Sequence, residues 1–164
     1  MEIDAFAREF NEKMSQVKQF VEGEDIKDIL GTEAVNHFKE SFKNEGFEDK
    51  QVVKWADVER RDPASKWHGH SGQTGKFSTA RTQAPILSGE TRELRESISY
   101  VKIPTGARIT NDTPYAAVHQ FGLQAKIYGK KAFTMIARPF MGKSVVLKEK
   151  IEGKIENEIK NILK

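Results

Sequence analysis

The chain has 164 residues, of which 31% are charged, yet its net charge is only +3. That suits one ordinary domain with a real core and a mixed-sign surface. No apolar run approaches the ~20 residues that a bilayer span needs, and the acidic opening MEIDAFAREF lacks the basic-then-apolar order of a secretory signal. The absence of cysteine excludes disulfides, thiolate catalysis and cysteine-ligated zinc, and suits synthesis in a cytoplasm.

Residues 2–22 predict an amphipathic helix, because Ile3, Phe6, Phe10, Met14, Val17 and Val21 recur at helical steps; Gly23 is the stop. A second helical run follows, with Ile26, Leu30, Ala34, Phe38 and Phe42 on one face. Gly31-Thr32 reads as an interruption in it, and Asn44-Glu45-Gly46 closes it. Residues 51–55, QVVKW, predict a short strand with Trp55 as a core or edge anchor.

Residues 59–85 change character. The stretch is rich in Gly, Ser, Thr and Pro, and reads as one long flexible loop. Arg60, Arg61, Lys66, Lys76 and Arg81 face a single acid, Asp62, with Trp67 and Phe77 interleaved. Cations neutralise phosphates and aromatic rings stack on bases, so this loop is the candidate nucleic-acid contact.

Order returns at Ile86. Ser88 is placed to cap a short helix holding Thr91, Leu94 and Arg95. Residues 97–103 alternate and predict a strand, Pro104-Thr105-Gly106 a turn, and residues 107–111 the returning strand of a hairpin. The run NDTPYAAVHQFG, Asn111 to Gly122, predicts a short bounded helix. Thr113 is its expected N-cap, Pro114 its first residue, Tyr115, Val118 and Phe121 its apolar face, and Gly122 its left-handed stop. Lys126–Tyr128 and Phe133–Ala137 predict a second hairpin around Gly129-Lys130-Lys131. Arg138-Pro139-Phe140 marks a boundary, since proline disfavours helix at the residue before it. Leu147, Ile151, Ile155, Ile159 and Leu163 then predict a C-terminal helix over residues 143–164, weakened at Gly153. The fold class expected is α+β: a small antiparallel sheet, N-terminal helices, a short central helix and a C-terminal helix. In this reading residues 1–164 form a single domain, helical over 1–45 and with an α+β core over 86–142.

The chemistry-bearing residues are few. His68-Gly69-His70 could share a cation, the seed of a metal-dependent hydrolase, but a structural zinc site needs about four ligands, and His37 and His119 lie far away in sequence. His119 lacks the strand–turn–helix setting of a nucleophile elbow. Glu90, Glu93 and Glu96 read as a solvated helix face, and Gly72 to Lys76 lacks the spacing of a phosphate loop. No catalytic constellation, cofactor fingerprint or metal set emerges.

Three blocks, in order, resemble the phage virion morphogenesis family, the tail-completion proteins of phages related to Mu and P2. The first is Ile86-Leu87-Ser88-Gly89 followed by Leu94-Arg95-Glu96-Ser97-Ile98. The second is Tyr115-Ala116-Ala117-Val118-His119-Gln120-Phe121-Gly122, and the third is Ile136-Ala137-Arg138-Pro139-Phe140-Met141-Gly142. FKESFKNEGF, residues 38–47, also fits, whereas Leu123 stands where family members often carry a second Gly. The resemblance implies a non-enzymatic structural protein of a phage or prophage virion. It would complete the tail or join it to the head at the neck, after assembly in the host cytoplasm. Its partners would be other head, neck and tail proteins and further copies of itself in a ring, such as a hexamer. It implies no cofactor, no membrane and at most non-specific contact with DNA. The motif residues would serve the fold or an interface.

Overall fold

The computed structural model describes residues 3–70, 75–89, 91–127, 129 and 131–164. Glu2, Gly72–Thr74, Glu90, Tyr128 and Lys130, on which some of the expectations above fall, lie outside the described residues.

The core is built around the second helix. Helix α1 (Ile3–Glu22) ends at Gly23, and α2 (Glu24–Asn44) runs on without a break at Gly31-Thr32. Gly31 has a packing reason: a Cβ there would lie 2.2 Å from the ring of Tyr100, so its absence lets a strand approach the helix axis. Ala34, His37, Phe38, Ser41 and Phe42 bury one face of α2 at steps of three and four. Glu45 then turns left-handed (φ 48°) and returns its N–H to the Ser41 carbonyl, which ends the helix without a glycine. That backbone is costly for a residue with a Cβ. The Glu45 carboxylate is anchored in compensation: it accepts from Arg61 and from the Ile86 N–H.

The class is α+β, with the strands distributed over three two-stranded antiparallel hairpins instead of one sheet. Strand β1 (Gly46–Glu48) pairs with β2 (Val52–Lys54), β3 (Ile98–Ile103) with β4 (Gly106–Asn111), and β5 (Gln124–Ile127) with β6 (Lys131–Thr134). The partner of β2 was missing from the sequence reading, where Gly46 counted only as a helix stop. The β3–β4 hairpin lies along α2, where Tyr100 Oη donates to Asp28 at 2.8 Å and Lys102 pairs with the same carboxylate at 2.7 Å.

The described residues of 59–85 are not one loop. They begin with a 3-10 turn, Glu59–Arg61, and close with a one-turn helix, α3 (Thr79–Gln83). Helix α4 (Glu93–Glu96) is shorter than expected and Ser88 does not cap it; its N-cap is Arg92, and Ser88 Oγ donates instead to the Pro85 carbonyl. Helix α5 (Ala116–Phe121) also starts later than expected. The position before its first turn is Tyr115, so Thr113 is not the cap; its Oγ1 donates instead to Asn111 Oδ1 at 2.7 Å. The expected apolar face is likewise corrected: Ala116 is buried, whereas Tyr115 and Phe121 are exposed. Gly122 does close the helix in the left-handed region (φ 67°).

Helix α6 (Val145–Leu163) begins on a true cap, with Ser144 Oγ accepting from the Leu147 N–H at 3.1 Å. Asp49 holds the same end, its side chain accepting from Val145 N and its carbonyl from Val146 N. Lys154 of α6 pairs with Glu33 of α2. One buried cluster results, joining Phe38 and Phe42 of α2 to Trp55, Ile86, Leu94, Ile98, Ala116, Phe140 and Leu147. No helix among the described residues is long and apolar enough to cross a membrane.

Candidate functional site

The second and third sequence blocks meet at a single junction. Helix α5 delivers Gln120, whose Oε1 accepts from the N–H groups of Phe140 (3.0 Å) and Met141 (3.2 Å) while its Nε2 donates to the Met141 carbonyl at 2.6 Å. One amide side chain thus replaces a strand partner for a segment that has none. The Arg138 N–H reaches the His119 carbonyl at 2.7 Å. Gly122 fits tightly here too, since a Cβ would meet the Met135 carbonyl at 2.9 Å and Ala137 N at 3.0 Å.

Arg138 is buried at 5% exposure, and its guanidinium donates to the Ala56 carbonyl at 3.1 and 3.2 Å and to the Asp57 carbonyl at 3.3 Å. Burial lowers its pKa, a shift that nearby Asp57 partly opposes. A planar fork suits this task, because it satisfies two adjacent carbonyls in one plane. Pro139 is exposed, but its carbonyl accepts from Trp55 Nε1 at 2.7 Å. Phe140 has no exposed surface and packs on Phe42 at 5.3 Å between ring centroids.

The first block packs alongside. Leu94 and Ile98 are buried, the Ser97 N–H closes α4 on the Glu93 carbonyl, and Arg95 donates to the Lys39 carbonyl and pairs with Glu96. Tyr115 Oη donates to Glu93 at 2.6 Å. Partial loss of hydration and that neighbouring carboxylate both disfavour phenolate, raising the Tyr115 pKa to about 12. His119 lies edge-on to Tyr115 at 6.0 Å. Burial first, and the Arg138 charge second, lower its pKa, which favours a neutral imidazole. Its Nδ1 is buried and has no partner among the described residues. A cleft of about 330 Å³ lies beside it, lined by Leu87, Ser88, Thr91, Glu93, Leu94 and Tyr115.

The basic stretch divides into two groups. Arg60 donates to the carbonyls of Arg81 (3.2 Å) and Pro85 (2.9 Å), and Arg61 to Glu45, Asp57 and the Ala84 carbonyl, so both turn towards their own chain. Lys66, Trp67, Lys76 and Phe77 are exposed, with the Lys66 ammonium 5.3 Å from the centre of the Trp67 ring, and Arg81 is half-buried on α3. His68 packs against Phe77 and His70 against Trp67. Among the described residues no three His, Cys, Asp or Glu side chains group as metal ligands.

The sequence reading singled out the motif residues but not their partners. It missed Ser41, whose hydroxyl donates to the Phe140 carbonyl, and Glu45, which organises Arg61 and Ile86. Neither has a local signal, because each acts on a segment tens of residues away.

Compared with known protein families, residues 58–160 match the phage virion morphogenesis family. No curated protein and no solved structure matches the chain.

Proposed function

The chain belongs to the phage virion morphogenesis family, and from that premise we propose that it is a non-enzymatic neck protein that completes the tail or joins it to the head, working as a ring. The observation that carries this reading is the division of its apolar surface. The family's blocks are held at a closed junction, their polar groups largely paired with the chain's own backbone. Outside that junction, α1 leaves Ile3, Phe6, Phe10, Met14 and Val21 exposed. A helix face of this kind belongs against another protein surface. A ring needs two different faces per subunit, related by a rotation that closes.

Quantitative mass spectrometry of purified particles tests the proposal. A copy number of about six per particle is the expected result for a closed cyclic assembly. Particles that lack the protein, with tails joining heads normally when it is deleted, overturn the proposal.

A second reading rests on the outward side of the basic stretch. Exposed Trp67 and Phe77, with Lys66 and Lys76 beside them, form a small surface for sequence-independent contact with DNA. Since Arg60 and Arg61 are engaged inwardly, replacing Lys66 and Lys76 with Ser should flatten the salt dependence of binding, whereas replacing Arg60 and Arg61 should damage folding. DNA binding that ignores the Lys66 and Lys76 changes removes this surface from consideration.

A further inference from the structure

Two features of the molecule are complementary. The first is the N-terminal half of α1. Residues 3–12 are all exposed, and Ile3, Phe6 and Phe10 keep 85%, 58% and 52% of their surface in water. Phe6 and Phe10 stack on each other at 6.2 Å. The same turns carry three acids, Asp4, Glu9 and Glu12, against one base, Arg8. Glu9 reaches Lys13, while Asp4 and Glu12 have no partner among the described residues.

The second feature is a cleft of about 260 Å³ between the end of α2 and the turn that leads into α4. Phe42, Pro85 and Ile86 give it apolar lining, and Lys43, Arg92 and Arg95 give it three cations. Among the described residues no acid lines it. Lys43 and Arg95 reach Glu40 and Glu96, but the Arg92 guanidinium has no partner among the described residues. Arg92, which lines the cleft, is held in a left-handed conformation (φ 56°) although it is not a glycine. Strain of that kind persists where the surrounding structure over-determines it, and it concentrates at ligand clamps.

We infer that the cleft receives the first turns of α1 from a second copy of the chain, with a Phe6 ring on the apolar lining and the α1 carboxylates against Arg92 and Lys43. The contact is heterologous, arm into cleft, and repetition of it generates a ring or a filament. The inference rests on the oligomeric reading above and names the surfaces that reading requires.

The test uses the purified full-length chain and sedimentation velocity. One variant reverses the arm (Asp4→Lys, Glu9→Lys, Glu12→Lys) and another reverses the cleft (Lys43→Glu, Arg92→Glu). Each alone should weaken self-association at least tenfold, and mixing the two should restore it, since each arm then meets a cleft of opposite sign. A cross-link gives a second readout. The chain has no cysteine, so Ala7→Cys, which leaves the Phe6 ring in place, mixed with Ser88→Cys should form one disulfide between copies under mild oxidation. Association that survives either reversal, a mixture that stays apart, or no cross-link overturns the contact. Sensitivity to the arm reversal alone also overturns it, in favour of α1 pairing with α1. A wild-type chain that stays monomeric overturns this contact too, whereas the neck reading stands or falls on copy number in the particle.

Discussion

Phe140 and Phe6 are the same side chain in opposite circumstances. Phe140 has no exposed surface, lies against Phe42, and has its backbone held by Gln120 and Ser41. Phe6 sits on a well-formed helix, is 58% exposed, and meets only Phe10 among the described rings. The junction around Phe140 is closed by hydrogen bonds that cross long stretches of sequence, so it resists change as a unit. The N-terminal half of α1 has helical hydrogen bonds and little else. Stability and assembly should therefore separate: substitutions at the junction should act on folding, and substitutions on α1 on association.

The largest effect on folding is expected from Phe140→Ala. Removing a fully buried ring leaves a cavity and costs about 3–5 kcal/mol, which for a chain of this length lowers the melting temperature by about 6–20 °C. Thermal and denaturant unfolding should both show it. Unchanged stability with lost assembly would place Phe140 at an interface instead.

Arg138→Ala comes next. It removes a guanidinium that satisfies the Ala56 and Asp57 carbonyls. A buried acceptor left unpaired costs about 1–3 kcal/mol. Arg138→Lys should recover only part of this, because an ammonium lacks the planar fork. Full recovery by Lys would show that charge, and not geometry, matters at this position. The expected midpoint shift in denaturant is smaller than for Phe140→Ala and follows the same direction.

These residues also mark how much the sequence disclosed. Periodicity was sufficient for α1 and α6, and the β3–β4 hairpin followed from alternation around Pro104-Thr105, because each of those signals is local. The pairing of Gln120 with Phe140 and Met141 was not legible, since nothing near Gln120 reveals which distant backbone lacks a partner. The same holds for Arg60 and Arg61. Their neighbours are polar and loop-like, yet their guanidinium groups complete the hydrogen bonding of residues 81–85. Thr113 had the chemistry of a cap, but the helix begins at Ala116, so Thr113 lies two residues ahead of the cap position. Gly31 read as a breaker because the ring that needs its space belongs to Tyr100, on a strand far along the chain. The family blocks were visible as patterns. Their convergence on one junction is a property of the fold.

A gentler probe is pH. In the folded chain the Tyr115 pKa is raised from the usual 10.0 to about 12 by partial loss of hydration and by its hydrogen bond to Glu93. The folded state therefore keeps a proton that the unfolded state loses between those values. Its contribution to stability is complete below pH ~10 and is lost as pH rises through ~12. Tyr115→Phe should flatten this alkaline decline in an unfolding series from pH 9 to 12. A wild-type profile already flat over that range would show that the phenol is not held by the fold.

The smallest effect on stability is expected from the region least tied to the rest. Phe6→Ser with Phe10→Ser replaces two rings that already face water, so the folded state loses little burial, and exposed substitutions usually stay within about 0.5 kcal/mol. Serine and phenylalanine have similar helix propensities, so helicity should change little. Association should respond very differently. If α1 is an arm that docks on a neighbour, removing both rings takes away the apolar part of the contact and leaves only exposed charges, which are individually weak. The variant should melt within about a degree or two of the wild type and sediment as a monomer where the wild type assembles. A large drop in melting temperature would mean that these rings are covered within the subunit, and the contrast between Phe6 and Phe140 would disappear.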